Sequence, residues 1–171
     1  LKKYRLILKE YSLEDFVGQS HLVGPGKPLK LAIDQKKVFS MVFWGPPGVG
    51  KTSLARIYAN SLRADFVEVS AVSAGKADIK KVVSQSEKTN KTTILFLDEI
   101  HRFNKAQQDY MLPFVESGVL TLIGATTENP SFSVIAPLLS RCRVFVLSQL
   151  ESAEINAIID RVLTVIPAEA G

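Results

Sequence analysis

Apolar and polar positions alternate along this chain in blocks that predict five strands separated by helices. The predicted strands span 39–44, 65–70, 92–97, 120–125 and 143–147. The first and third are continuous apolar runs, which is typical of strands buried on both faces of a parallel sheet. Apolar residues at helical spacing predict helices over 28–37, 53–59, 76–88, 105–115, 134–140 and 151–165. Strands that alternate with helices imply an α/β fold with helices on both faces of a five-stranded parallel sheet.

Two details of these helices stay open from the pattern alone. Asn104 is the expected cap of the helix over 105–115, and Pro113 either kinks that helix or divides it. Ser12 is the expected cap of an acidic turn near the start of the chain. In the helix over 28–37, the side chains expected to face the core are Leu29, Leu31 (or Ala32) and Ile33. The pattern does not decide between Leu31 and Ala32.

Length and composition limit the classes of protein. The 171 residues, 46% of them hydrophobic, suit one α/β domain with the start of another. No apolar run reaches the roughly 18 residues that span a bilayer, and the apolar stretch in residues 1–9 is too short for a secretory signal. The single cysteine excludes an internal disulfide and a cysteine metal cluster. We therefore expect no membrane partner and a reducing compartment.

The positive charge is concentrated near the start of the chain. Of 21 basic and 17 acidic residues, residues 1–50 hold eight and four, which leaves 13 of each in the remainder. A basic segment beside a neutral core is compatible with a phosphate-backbone partner such as DNA, and equally with an ordinary solvated surface.

A glycine-rich loop follows the first predicted strand and precedes a helix that includes Ser53. It fits the phosphate-binding pattern G-x-x-x-x-G-K-[ST] over Gly45, Pro46, Pro47, Gly48, Val49, Gly50, Lys51 and Thr52. Glycine permits backbone conformations in which successive N–H groups point at an anion, and the helix adds its positive end. Lys51 is the expected phosphate ligand and Thr52 the expected Mg²⁺ ligand. A chance glycine-rich turn would lack this order of strand, loop and helix, so the sequence predicts ATP binding with Mg²⁺.

Two carboxylates follow the third predicted strand. Asp98 and Glu99 end an apolar run at the edge of the sheet where ligands of open α/β folds bind. Alone, the pair is an ordinary loop start. With the phosphate loop upstream, Asp98 is predicted to share the Mg²⁺ with Thr52, and Glu99 to orient and deprotonate the attacking water.

These motifs together resemble those of AAA+ ATPases. Three further segments, 101–109, 124–132 and 138–143, are similar to the replication-associated recombination ATPases of the RarA/MgsA type, whose eukaryotic relative is the Werner-helicase-interacting protein. The resemblance runs from about residue 13 to 163. It implies an AAA+ core over 16–148, after a basic N-terminal arm over 1–15 and before the start of a helical lid over 149–171.

The resemblance also implies roles for single residues. The adenine side of the nucleotide is expected at Val17, Gly18 and Gln19. Thr127 is the expected sensor of the γ-phosphate, with Asn129 as the next candidate.

Arg141 is the arginine finger that the resemblance implies, and it would reach into the site of a neighbouring subunit. A forked, permanently charged guanidinium suits phosphate oxygens. The alternative for Arg141 is a salt bridge to a local carboxylate. Arg143 is a weaker candidate for the finger because it opens the fifth strand. His101 is expected to pack or to hydrogen-bond behind Glu99.

The chain departs from the family pattern in two places. An arginine–proline pair is usual before the segment over 13–16, and residues 7–11 do not contain it. The family's lid, its second sensor arginine and its oligomerisation region would follow Gly171. The sequence is expected to be either a fragment or a naturally short protein.

The resemblance implies an ATPase that acts on DNA in replication-fork maintenance, recombination and repair. The implied partners are forked or junction DNA, further copies of the chain in a homo-oligomer, and a single-strand-binding protein. The implied location is the cytoplasm of a bacterium or the nucleus of a eukaryote. Two alternatives remain at this point: a clamp-loader-type subunit, and a non-catalytic scaffold gated by nucleotide.

Overall fold

The computed structural model of the chain describes residues 12–165. Five parallel strands form one sheet in the order β2-β3-β4-β1-β5. They are β1 (Ser40–Trp44), β2 (Asp65–Ser70), β3 (Thr93–Asp98), β4 (Thr121–Thr126) and β5 (Cys142–Val146). The predicted sheet is confirmed, with both ends of each strand within one residue of the expected position.

Eight α-helices are present among the described residues. They are α1 (Ser20–Val23), α2 (Pro28–Asp34), α3 (Lys51–Ser61), α4 (Lys76–Ser86), α5 (Lys105–Glu116), α6 (Pro130–Ser133), α7 (Ala136–Leu139) and α8 (Ser152–Val165). Short 3-10 turns span Leu13–Asp15 and Ile100–Arg102. Most of the predicted basic arm lies outside the described residues.

The core has two layers, one on each face of the sheet. Along β3, Ile94 and Phe96 pack on the side of α2 and α3, whereas Leu95 and Leu97 pack on the side of α4 and α5. All four side chains are buried. Helices cover both faces of the sheet at β3. Burial on both faces therefore explains the continuous apolar run, as the sequence predicted.

The structure settles the two points that the pattern left open, and it describes the turn expected after Ser12. Pro113 lies inside α5, which continues to Glu116, so the proline does not divide the helix. On α2 the inward choice is Ala32, because Leu31 is 43% exposed whereas Ala32 is 4% exposed. Ser12 precedes the turn Leu13–Asp15, and its hydroxyl donates to the Asp15 carboxylate at 3.0 Å.

The helix predicted over 134–140 is confirmed but is shorter than expected. It is α7, over Ala136–Leu139, and a break at Val134 and Ile135, which are extended, separates it from α6. The buried amide of Gln108 causes this break: it donates to the Ser133 carbonyl at 2.9 Å and accepts from the Ile135 N–H at 2.8 Å. A tertiary contact thus supplies the partners that a continuous helix would have supplied.

Of the helices in residues 12–165, none has the length and apolar composition needed to cross a bilayer.

Candidate active site

The loop between β1 and α3 has the backbone that the phosphate-binding motif requires. Gly48 and Gly50 have positive φ angles of 76° and 101°. Gly50 is also confined by packing, because a β-carbon there would lie 2.9 Å from the ring of Phe16. Any other residue at Gly50 would meet both backbone strain and a clash.

The Lys51 side chain folds over this loop. Its ammonium group donates to the carbonyls of Gly45 and Pro46, at 2.6 and 2.7 Å. Partial burial lowers the pKa of Lys51, and the negative charge of Asp98 opposes that shift. The cation of the loop and the carboxylate at the end of β3 therefore lie within electrostatic reach of each other.

The sheet order places the end of β4 between the phosphate loop and the end of β3. A cavity of about 390 Å³ opens at this edge. The sequence-predicted residues that line it are Pro47, Gly48, Gly50, Lys51, Thr52, Ser53, Asp98, Glu99 and Thr127. Parallel strands bring their carboxyl ends to one edge, which explains why segments far apart in sequence share one cavity.

The two carboxylates are held differently. Asp98 is the last residue of β3, and its Oδ1 accepts from the Glu99 N–H at 3.0 Å. Glu99 has a left-handed backbone, with φ 55° and ψ 47°, and its carbonyl accepts from the Arg102 N–H at 2.8 Å. This conformation costs about 1–3 kcal/mol in a residue other than glycine and is typical of functional sites.

The Thr52 hydroxyl and the Asp98 carboxylate fit a magnesium ion by their chemistry, since both are hard oxygen donors on one cavity. Within the described part of the chain, no group of three or more His, Cys, Asp or Glu side chains forms a metal cage. A site of this kind takes the rest of its ligands from water and from substrate phosphates.

The two sensor candidates are placed differently. Thr127 lies on the cavity wall beside Thr126. The Asn129 side chain caps α6 by accepting from the Ser131 N–H at 3.0 Å. Among the described residues that line the cavity, Asn129 is not included.

His101 forms a hydrogen bond, as the sequence led us to expect, and this bond links two of the elements that form the cavity. Its Nδ1 lies 3.0 Å from the Thr126 hydroxyl, and that hydroxyl accepts from the Glu128 N–H at 3.0 Å. The histidine thus ties the turn after Glu99 to the end of β4. In the sequence, His101 was marked by its position two residues after Glu99 and by its place in the segment 101–109.

The adenine-side candidates lie between the phosphate loop and the end of β5. The Gln19 amide donates to the Ser148 carbonyl at 2.7 Å and to the Val49 carbonyl at 3.4 Å. Gly18 has a φ of 88°, and Val17 is half-buried. These three residues do not line the cavity that holds Lys51.

Arg141 lies at the opposite edge of the sheet, just before β5. Its guanidinium is 2.7 Å from a carboxylate oxygen of Glu116 and donates to the Pro137 carbonyl at 3.3 Å. It lines a second cavity, of about 340 Å³, together with Ser40 and Thr121 at the starts of β1 and β4. The structure therefore contains the local salt bridge that the sequence left open, and it does not bring Arg141 to Lys51.

Related sequences carry the replication-associated recombination name. Replication-associated recombination protein A from Coxiella burnetii is 55% identical over 88% of this chain and 34% of that protein. The protein of the same name from Haemophilus influenzae is 48% identical over 90% of this chain and 35% of that protein. ATPase WRNIP1 of Dictyostelium discoideum is 44% identical over 94% of this chain and 19% of that protein. The resemblance drawn from the motifs is confirmed. The chain spans about a third of the length of the two bacterial relatives and about a fifth of the length of the Dictyostelium protein.

Solved structures and a family model agree with the fold. RuvB of Thermotoga maritima, described as a Holliday junction branch migration motor, superposes with a TM-score of 0.74 at 30% identity, over 92% of this chain and 54% of that chain. The model of the ATPase family associated with various cellular activities (AAA) matches residues 41–150. That match covers more than half of the sequence, and the chain belongs to the AAA family of ATPases.

Proposed function

We propose that this chain is the ATP-hydrolysing core of a RarA-like ATPase that acts on DNA in replication-fork maintenance, recombination and repair. The observation that carries the proposal is the shared cavity of Lys51, Thr52, Asp98, Glu99 and Thr127. A cation, a hydroxyl, a metal-type carboxylate, a base and a polar sensor are the groups that transfer of a phosphoryl group to water requires.

The phosphate loop binds and orients ATP. Its N–H groups and the start of α3 stabilise the negative phosphates, and Lys51 exchanges its bonds to the Gly45 and Pro46 carbonyls for phosphate oxygens. Thr52 and Asp98 would hold Mg²⁺, which neutralises developing charge on the phosphates when bound. Lys51 and Asp98 thereby fix the reacting end of the substrate beside Glu99.

Glu99 is the base of the proposed reaction. Its carboxylate accepts a proton from the water that attacks the γ-phosphorus, the bond to the β-phosphate oxygen breaks, and ADP and inorganic phosphate leave. The left-handed backbone of Glu99 and the bond from its N–H to Asp98 fix the start of this side chain. Thr127 contributes a hydroxyl to the same cavity and would contact the γ-phosphate.

Arg141 would complete the site from a second copy of the chain. Strands of five and six residues, at about 3.3 Å per residue, separate the two edges of the sheet by about 16–20 Å. An arginine side chain cannot cross that distance within one chain. We propose that Arg141 leaves Glu116 when copies assemble and then stabilises charge at the neighbour's γ-phosphate.

DNA as partner is inferred from the names of the relatives and from the basic first fifty residues. A single-strand-binding protein is the proposed protein partner. Because DNA is the proposed substrate, the proposed location is the cytoplasm of a bacterium or the nucleus of a eukaryote.

The test is the rate of phosphate release from ATP, with Mg²⁺ and with or without forked DNA. It is made on this chain and on a version extended past Gly171 with the remainder of the Coxiella burnetii relative. ATP turnover that forked DNA stimulates supports the whole proposal. A rate of ATP turnover that does not change when DNA is added would contradict the proposed role on DNA. Failure of the chain to bind ATP would contradict the proposed nucleotide site.

A further inference from the structure

Residues 15–19, which we call the strut, lie between the phosphate loop and α8. On the side of the loop, the strut makes two contacts. The Phe16 ring packs so closely on Gly50 that no β-carbon fits there, and the Gln19 amide donates to the Val49 carbonyl at 3.4 Å. Any movement of the loop backbone at residues 49–50 therefore reaches the strut directly.

On its other side the strut contacts α8 and the residues just before it. The Arg161 guanidinium of α8 donates to the Asp15 carbonyl. A β-carbon at Gly18 would lie 2.6 Å from the Leu150 side chain, so backbone and side chain are in close contact there. The helix is otherwise lightly packed, because four of its apolar side chains are 46–62% exposed: Ile155, Ile159, Val162 and Leu163. The strut is therefore a main connection between α8 and the rest of the domain.

Gln19, the last residue of the strut, forms hydrogen bonds both to the phosphate loop and to the segment just before α8. Its amide pairs with both backbone groups of Ser148, accepting from the N–H at 2.8 Å and donating to the carbonyl at 2.7 Å. The third bond goes to Val49, and the residue is 4% exposed. Buried amides that lose such partners are costly to the fold, so this residue is held in one place.

We propose that Gln19 is a positioning residue that couples the phosphate loop to α8, so that nucleotide on the loop restricts the movement of α8. The bond to Val49 is the variable part, because 3.4 Å is long for such a bond and a shift of a few tenths of an ångström makes or breaks it. The paired bonds to Ser148 are short and carry that shift to the residue four positions before α8. Coupling between sites is reciprocal, so restraint of α8 also favours nucleotide on the loop.

The test is hydrogen–deuterium exchange with and without ADP and Mg²⁺, and it rests on the nucleotide binding proposed above. In the unmodified chain, ADP is expected to slow exchange in α3 and, by about tenfold, at Ser148 and along α8. Because Gln19 is also an adenine-side candidate, ADP is supplied at a concentration that saturates each variant, as measured by its own binding titration. In Gln19→Met, which keeps the side-chain length and loses all three bonds, α3 should then be slowed as it is in the unmodified chain. The slowing along α8 should then fall below about twofold.

Gln108→Met is the matched control. Gln108 is an equally buried amide with three backbone bonds, but its partners are Phe103, Ser133 and Ile135, away from α8. It should keep the tenfold effect of ADP on α8 even where its thermal stability falls as far as that of Gln19→Met. A merely structural role of Gln19 would make the two variants alike.

Retention of the tenfold effect in Gln19→Met would overturn the coupling, as would absence of any ADP effect on α8 in the unmodified chain. The second outcome counts against the coupling only where ADP slows α3 of the unmodified chain. Absence of slowing in both α3 and α8 of the unmodified chain would contradict nucleotide binding instead, so the two failures are distinct. If Gln19→Met does not fold, Gln19→Glu takes its place, because it keeps the acceptor for the Ser148 N–H and loses both donor bonds.

Discussion

Charged side chains are paired differently at the two edges of the sheet. At the carboxyl edge, Lys51, Asp98 and Glu99 share a cavity, and the cation is bonded to loop carbonyls rather than to either carboxylate. At the amino edge, Arg141 is paired with Glu116 at 2.7 Å. The first arrangement leaves charges available to a phosphate ligand, whereas the second satisfies them within the chain.

If Arg141 has the role proposed above, the difference would let one fold carry two halves of a site. A half-exposed ion pair such as that of Arg141 and Glu116 contributes about 1 kcal/mol or less. A triphosphate from another copy can therefore displace Glu116 at small cost. The strained backbone of Glu99, in contrast, is held in place by surrounding structure and is fixed before substrate binds.

The largest expected effect is the loss of nucleotide binding in Lys51→Ala. Within residues 12–165, the bonds of the ammonium group go to backbone carbonyls of its own loop, so its removal should leave the fold intact. Binding of labelled ATP and thermal unfolding without ligand are the measurements. Lys30→Ala, which removes an exposed lysine paired with Asp34, is the control and should bind ATP normally. Retained affinity in Lys51→Ala would show that the carboxyl edge is not the phosphate site.

Glu99→Gln should bind ATP normally and hydrolyse it at least ~100-fold more slowly, because the amide keeps the shape and cannot accept the proton. The rate of phosphate release at saturating ATP is the measurement, made in the version extended past Gly171. Glu128→Gln provides a neighbouring control, since Glu128 is exposed and lies near His101 rather than on the cavity. Near-normal turnover in Glu99→Gln would assign the base to another residue.

The reactivity of Cys142, which is next to Arg141, reports how far the amino edge is buried from solvent. Burial raises the pKa of its thiol from 9.0 to about 11, so the thiolate fraction at pH 8 should be about 100-fold below that of a free cysteine. The rate of alkylation by iodoacetamide measures this. Because the folded pKa is the higher one, the thiol favours the fold below pH 9, and that contribution is lost as the pH rises toward 11. Alkylation at the rate of free cysteine would mean that this edge is open.

The smallest expected effect concerns the basic first residues. Replacing Lys2, Lys3, Arg5 and Lys9 by glutamine should lower the slope of log affinity for DNA against log salt by up to about 3–4. Titration of labelled forked DNA at several salt concentrations gives the slope. An unchanged slope would place the DNA surface elsewhere, with Lys76, Lys80 and Lys81 as the next candidates.

The sequence predicted those parts of the site that are encoded locally. The glycine pattern and Lys51 occupy one loop, and Asp98 and Glu99 follow one buried strand, so the order of apolar and polar residues was sufficient to place them at one edge of a parallel sheet. The strands β1 and β3 were predictable for a related reason, because burial on both faces of the sheet produces an apolar run.

Contacts between distant segments could not be predicted in this way. Gln19 and Ser148 are 129 positions apart, and no local pattern marks the amide that joins them. The break between α6 and α7 depends on Gln108, which is 25 positions from Ser133. Side-chain amides that bond to remote backbone groups override local helix propensity, and they become visible only once the fold is known.

Mixing two inactive variants tests the central claim that the two edges complete one site when copies of the chain meet. Arg141→Ala should keep ATP affinity and lose about 10³-fold in turnover, since an arginine finger acts chiefly in the transition state. Mixed with Glu99→Gln in the version extended past Gly171, it should regain part of the activity. Some interfaces then join an intact Glu99 to an intact Arg141. Two variants that co-purify through an affinity tag carried by one of them, and yet stay inactive together, would contradict the claim.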